Sequence, residues 1–374
     1  MAQCFFYGAL RYQPLLELVL GRSLDVDLIE TALPDHVVRS VSGSFYPMIQ
    51  RAAGEDAPGV LIADLTEADL ARLDFYQGGH GCKTTEVTLA NGAQALAYLP
   101  APGRAVDGDI WSLDRWIERW SPLIMVAAEE AMLYFGSRSA KELAGLFPRI
   151  LARATTRLIA QEGSHDPLTL RGAVDIIERR RVYSSFFALD EFTLSHERFD
   201  GQMSDPIDRA VFVSTDAAIV LPYDPVCDRV LLVEQVRLGP LGRGDPALWQ
   251  LEPVAGLVDP GETPEETAHR EAQEEAGLTF RHLELVGRNY ASPGAATDFF
   301  HLYVGLCDLP DDARRSGGVD SEGENIQAHI LPFDTLLERS ETKVTANAPL
   351  NLLTYWLAHH RDRLRADYSG TAAG

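Results

Sequence analysis

Cysteine is scarce in this chain, positive charge is short, and no apolar run is long enough to cross a bilayer. The four cysteines, Cys4, Cys82, Cys227 and Cys307, are scattered over 374 residues without metal-ligand spacing. That excludes a disulfide scaffold or a zinc cluster and points to a reduced, cytoplasmic compartment. The first residues, Met1 to Phe6, carry neither a basic leader nor a long apolar core. The apolar stretch from Pro122 to Phe135 is interrupted by Glu129 and Glu130, so it reads as a buried helix rather than a span. Lys and Arg number 33 against 55 Asp and Glu, a net charge of −22. This excludes a nucleic-acid or anionic-membrane partner that relies on a basic surface. A phosphate-bearing small molecule is still admitted, provided metal ions neutralise the site locally.

What the chain does have is a dense acidic cluster at fixed spacing. Gly256 is followed by Glu262, and seven residues later by Arg270-Glu271-Ala272-Gln273-Glu274-Glu275-Ala276-Gly277-Leu278. Thr263 is placed to cap a helix, Pro264 suits its first position, and Glu266 completes a capping box. Gly277 fits the position past the end, so the helix is expected over Pro264–Ala276. Glu271, Glu274 and Glu275 then share one face, where like charges repel. A solvated acidic face is the ordinary reading of such glutamates. Here Arg270 and a loop carboxylate, Glu262, fall in register with them. The set is suited to Mg2+ or Mn2+, which take carboxylate oxygens together with substrate phosphates, with Glu262 pairing Arg270 and orienting the cluster.

Along the chain, residues 1–104 alternate short strands, such as Phe5-Phe6, with helices near Leu15–Leu20 and Thr66–Tyr76, and end at Pro100-Ala101-Pro102-Gly103. Residues 105–168 turn helical and are expected to form a connector. Trp111, Trp116 and Trp120 lie on one packing face there, and Glu162 to Pro167 reads as a linker. Residues 169–365 are rich in strands, expected at 182–187, 192–196, 210–213, 217–221, 230–236, 283–286, 299–304 and 326–331, with a last helix at 350–360. No internal repeat is visible. The expected class is α+β, with strands layered between helices in the C-terminal part.

The acidic motif fits G-x5-E-x7-R-E-U-x-E-E-x-G-U, and the chain resembles the Nudix hydrolases at every specified position, with Ala272 where a larger aliphatic is commoner. Flanking pieces are similar to the ADP-ribose pyrophosphatase branch. They include Leu232-Val233-Glu234-Gln235-Val236-Arg237, Trp249-Gln250-Leu251-Glu252, Pro293 sixteen residues past Gly277, and Asn347-Ala348-Pro349. The resemblance implies an α/β/α sandwich and Mg- or Mn-dependent hydrolysis of ADP-ribose to AMP and ribose 5-phosphate. It implies metal ligation by Glu271 and Glu275, assisted by Glu274 and the Ala255 carbonyl. Arg237, Glu252 and Pro293 would hold substrate. The base that completes water activation would stand on the loop 317–325, as Glu324 or Glu322. Related hydrolases are homodimers, so a homodimer is expected here. Hydrolysis of NADH or a nucleotide sugar, or an ADP-ribose sensor built on this scaffold, are the competing readings.

The N-terminal part resembles the gamma-glutamylcyclotransferase-like family. Tyr7-Gly8-Ala9-Leu10 is similar to that family's substrate loop, and Leu73-Asp74-Phe75-Tyr76-Gln77-Gly78 to its L-D-x-x-E-G segment. The resemblance implies a small mixed α/β, barrel-like domain that binds through Tyr7, Gly8 and Leu10. It fails at Gln77, where the family has a glutamate. A neutral amide cannot take a proton from an amine, so catalysis is expected in the C-terminal part alone. The pairing of the two domains is similar to Nudix proteins associated with tellurite resistance.

Overall fold

The computed structural model describes residues 2–24, 28–78, 82–100, 108–161, 163, 169, 172–311, 316–317 and 325–369. It divides into two compact units, 1–170 with 184–186, and 171–183 with 187–374.

In the first unit β1 (Ala2–Phe6), β2 (Ile29–Arg39), β3 (Met48–Leu65), β4 (Cys82–Thr88) and β5 (Gln94–Pro100) form one sheet in the order β2-β3-β1-β5-β4. β1 is central, antiparallel to β3 and parallel to β5, and its apolar run Cys4-Phe5-Phe6 is buried on both faces. The two edge strands approach each other where the Ala90 N–H donates to the Ala32 carbonyl at 2.9 Å, giving the barrel-like curl expected from the resemblance. Helices α1 (Gln13–Leu20), α2 (Glu67–Gly78), α3 (Leu113–Met132) and α4 (Ala140–Gln161) complete the unit. Leu15, Leu16, Ile62, Leu73, Ile124 and Ile150 meet in one core, so the helices in the expected connector stretch share a core with β1 and β3. Trp116 is buried there with its indole N–H on the Phe45 carbonyl at 2.7 Å, and Trp111 and Trp120 pack around the same core.

In the second unit β6 (Val174–Ser184), β7 (Ala188–His196) and β8 (Ile207–Val213) form a three-stranded sheet. A larger sheet is built from β9 (Ala217–Asp224), β10 (Arg229–Val236), β11 (Trp249–Glu252), β12 (Val254–Leu257), β13 (His282–Tyr290), β14 (Phe299–Leu306), β15 (Ser316–Gly317) and β16 (Ile326–Pro332). Four helices accompany it: α5 (Leu238–Arg243), α6 (Pro264–Ala276), α7 (Phe333–Glu341) and α8 (Ala348–Ser369). Every residue of β9 is buried, as expected of a strand covered on both faces. On one face Ala218, Val220 and Val233 meet Ala268, Ala272 and Ala276 of α6. On the other Ile219, Leu221 and Leu232 meet Leu336 of α7 and Leu350, Leu353 and Leu357 of α8. This is the α/β/α sandwich. It also accounts for Ala272, which belongs to a stripe of methyl groups four residues apart that forms the buried face of α6.

One expected strand is revised, three short elements were not foreseen, and one expected linker is untested. The strand expected at 182–187 runs instead over Val174–Ser184, and residues 185–187 lie in a bend. Arg179 and Arg181 of β6 both bind the buried Asp190 of β7, and charged residues at 178–181 interrupt the strand's apolar residues, which hides its extent. β11 and β12 are four residues each, separated by Pro253, and α5 buries no residue, so none of the three gave a periodic signal. The linker expected at 162–167 lies outside the described residues, apart from Gly163.

Candidate active site

α6 begins where its chemistry requires. The Thr263 hydroxyl accepts the Glu266 N–H at 3.2 Å, and the Glu266 carboxylate accepts the Thr263 N–H at 2.8 Å. Pro264 opens the first turn, and Gly277, with φ 63°, closes the helix in the left-handed region. The bounds are those expected from sequence. This cap fixes Glu262 just ahead of the helix, where its carboxylate accepts from the buried Thr267 hydroxyl at 2.9 Å.

Arg270 gathers the carboxylates. Its Nε donates to Glu262 at 3.0 Å, and its Nη1 donates to Glu271 at 2.7 Å and to Glu274 at 3.0 Å. Its Nη2 reaches the Leu257 carbonyl at 3.3 Å, which ties the helix to β12. Burial alone would lower the guanidinium pKa, but hydrogen bonds to Glu262 and the charge of Glu271 outweigh it and drive the pKa up. Arg270 is therefore a permanent cation that offsets the repulsion within the cluster.

β12 supplies the floor. Ala255 pairs with Ile219 and Gly256 with Ala218 of β9. Glu275 is 2% exposed and accepts the Ala255 N–H at 3.3 Å. A Cβ on Gly256 would fall 1.8 Å from a Glu271 carboxylate oxygen. The first glycine of the motif is thus required by the approach of Glu271 to the strand, and not by a turn.

A second group stands at the end of the β10–β11 ladder, where Val236 pairs with Trp249. Arg237 Nε donates to Glu252 at 2.7 Å, and the Asn347 amide donates to the other Glu252 oxygen at 3.2 Å. Glu252 lies three residues before Ala255, so β11–β12 carries both groups on one stretch of chain. Pro293 lies in the exposed turn between β13 and β14, and no described contact joins it to either group. Glu322 and Glu324 lie outside the described residues. Sequence reasoning missed Thr267, which sits inside the motif at an unspecified position. It also missed a buried pair, His301 Nε2 to Asp216 at 2.8 Å, whose members lie on β14 and just ahead of β9. Eighty-five residues separate that pair, and no local spacing announces it.

The family model for the NUDIX domain matches residues 213–350. An ADP-ribose pyrophosphatase of Escherichia coli is 35% identical over 204 residues, which is 54% of this chain and 97% of that protein. The chain belongs to the Nudix family. Its Nudix unit is also similar to a GDP-mannose pyrophosphatase of Cronobacter sakazakii, 32% identical over 180 residues, 48% of this chain and 92% of that one. A solved structure described as an ADP compounds hydrolase covers 50% of this chain and 95% of its own, at 22% identity and a TM-score of 0.39. Residues 4–118 match the model for gamma-glutamyl cyclotransferase, AIG2-like.

Nudix hydrolases imply a divalent metal. Among the described residues no three histidine, cysteine or carboxylate side chains stand converged as metal ligands. In this arrangement Arg270 takes up oxygens of Glu262, Glu271 and Glu274. The donor chemistry nonetheless fits a hard cation, because the side chains gathered over β12 offer carboxylate oxygens and no soft ligand. The hydrogen-only space at Gly256 lets Glu271 lie against the strand backbone.

In the cyclotransferase-like unit of this Nudix protein, a cavity of about 240 Å³ is lined by Tyr7, Gly8, Leu10, Tyr98 and Gln77, among others. The sequence-predicted loop and Gln77 therefore share one cavity. Burial pushes the Tyr7 phenol above its ordinary pKa, and the Tyr98 hydroxyl donates to Asp74 at 2.6 Å. Both phenols stay protonated at neutral pH.

Proposed function

We propose that the Nudix unit hydrolyses ADP-ribose to AMP and ribose 5-phosphate, using Mg2+ or Mn2+ held by Glu271, Glu275 and the Ala255 carbonyl with Glu274 assisting. The observation that carries this reading is the gathering of Glu271 and Glu275 against Ala255 and Gly256, on the stretch of chain that also bears Glu252. When bound, the cation neutralises the diphosphate and makes water more acidic. Arg270 holds Glu262 and Glu271 in place. Arg237, fixed through Nε, presents its planar fork to phosphate. Pro293 would border the substrate. Glu324, or Glu322, would take the proton of the attacking water. Water enters at a phosphorus, the bond to the bridging oxygen breaks, and the two monophosphates leave.

The ADP-ribose pyrophosphatase relative supports this substrate, and the GDP-mannose pyrophosphatase supports a nucleotide sugar as the second reading. We further read the chain as residues 1–104, a cyclotransferase-like domain impaired by Gln77; 105–168, a helical connector whose helices pack into the core of that first domain; and 169–365, the hydrolase. A cytoplasmic location is supported by four free cysteines. A homodimer is supported by Val174, Ile176, Ile177, Val182 and Tyr183, which stand exposed along β6.

The test is a panel of ADP-ribose, NADH and GDP-mannose, each with and without Mg2+ or Mn2+, with products identified by chromatography. AMP and ribose 5-phosphate are expected from ADP-ribose, with loss of turnover on chelation. Binding without turnover would favour a sensor, and faster cleavage of GDP-mannose would reassign the substrate.

A further inference from the structure

The Glu252 carboxylate is held from two sides, and the second side reaches into another element. One oxygen accepts from Arg237 Nε at 2.7 Å and the other from the Asn347 amide at 3.2 Å. Asn347 is itself anchored. Its side-chain oxygen accepts the Leu350 N–H at 2.9 Å, and its backbone carbonyl accepts the Asn351 N–H at 3.1 Å, which makes it the N-cap of α8. α8 in turn is locked to the sheet by Leu350, Leu353, Leu357 and Leu364, all fully buried. A rigid helix therefore aims one amide at one carboxylate oxygen.

The geometry points to Asn347 as a positioning residue: it sets the Glu252–Arg237 pair so that the arginine fork faces the substrate's diphosphate. This rests on the reading of Arg237 as a substrate contact. Among the described residues the two η nitrogens of Arg237 make no hydrogen bond, so the end of the fork is available to an anion. Glu252 needs a second donor to stay in this rotamer. Without it the carboxylate can turn, and a flexible Arg237 must be ordered by the substrate itself, at a cost in affinity. An asparagine is the residue type that does both jobs, because its oxygen caps the helix while its NH2 group donates to Glu252.

Two variants separate capping from positioning. Asn347→Asp keeps the cap but removes the donor and sets a second carboxylate against Glu252. Asn347→Ser also caps and is too short to reach Glu252. For ADP-ribose with Mg2+, Asn347→Asp is expected to raise KM by about tenfold and Asn347→Ser by roughly threefold. In both, kcat should stay within about twofold and the melting temperature within about 2 °C. In an Arg237→Ala background, Asn347→Asp should add nothing further to KM. Wild-type KM in both Asn347 variants, or additive effects in the double variant, overturns the positioning role while leaving Arg237 as a substrate contact. A wild-type KM in Arg237→Ala alone overturns that contact, and the positioning role with it. If Asn347→Asp does not fold, Asn347→Ser decides the same question.

Discussion

At Gly256 a single hydrogen is all that fits between β12 and the Glu271 carboxylate, since a Cβ would stand 1.8 Å from the nearest oxygen. The obstructing atoms belong to a flexible side chain, so Gly256→Ala should fold and displace Glu271. We expect kcat to fall by about a hundredfold or more, equivalent to roughly 3 kcal/mol, with a melting temperature near wild type. Wild-type turnover in a well-folded Gly256→Ala would count against Glu271 as a metal ligand. Glu275 permits a cleaner removal of charge. It is buried and accepts from the Ala255 N–H, and a glutamine carbonyl can accept the same bond. Glu275→Gln should lose about a thousandfold in kcat with little change in circular dichroism or melting. Unchanged turnover would remove Glu275 from the metal site. At this scale the sequence was informative where the chemistry is local. Glu262, Arg270, Glu271 and Glu274 meet within one loop and one helix, so spacing sufficed to place them together. Thr267, Asp216 and His301 carried no such signal.

Among the elements, α6 and α2 show how far caps fix local structure. Both ends of α6 were legible because a capping box and a terminal glycine are local interactions. α2 uses the same device with an aspartate. The Thr66 hydroxyl accepts the Asp69 N–H at 3.1 Å, Asp69 accepts the Thr66 N–H at 2.9 Å, and Arg22 adds a bidentate pair at 3.0 and 2.8 Å. The Arg22 hydrogen bonds, against the opposing effect of burial and with help from Thr66, pull the Asp69 carboxyl down to about 2. A folded pKa below the unfolded value, near 3.9, stabilises the fold above that pH, and the gain is lost as the pH falls towards the folded value. Wild type should therefore exceed Asp69→Asn by about 2 kcal/mol at neutral pH. The two melting curves should converge between about pH 4 and pH 2. A gap that persists at pH 2 would show that Asp69 stabilises by something other than its charge. Elements without clear apolar periodicity, such as β6, β11 and α5, were misplaced or unforeseen in the sequence: β6 is tied to its neighbour β7 by charged pairs, β11 is four residues long, and α5 buries nothing.

For the whole molecule, the contrast lies between two sites on one chain. The Nudix motif is complete, whereas the cyclotransferase-like cavity holds Gln77 beside Tyr7 and Tyr98. Taking a proton from a substrate amine needs a base, and neither a glutamine amide nor a phenol kept protonated by burial supplies one. The 374-residue chain is accordingly expected to release no 5-oxoproline from γ-glutamyl peptides by mass spectrometry while it hydrolyses ADP-ribose in the same preparation. Release at a rate comparable to ADP-ribose hydrolysis would show that another group in the cavity serves as the base.

By itself the sequence determined the acidic helix, its caps, the family of each half and the α/β/α class. The helix and its caps follow from interactions between residues a few positions apart, whereas the families and the sandwich were implied by the resemblance that the motifs carry. Only the tertiary structure decided that Gly256 is small for the sake of Glu271, that Ala272 is a buried contact with the sheet, and that Asn347 reaches Glu252 across ninety-five residues. Those choices depend on which strands lie side by side, and strand order is set by packing across the whole sheet, which no local spacing encodes.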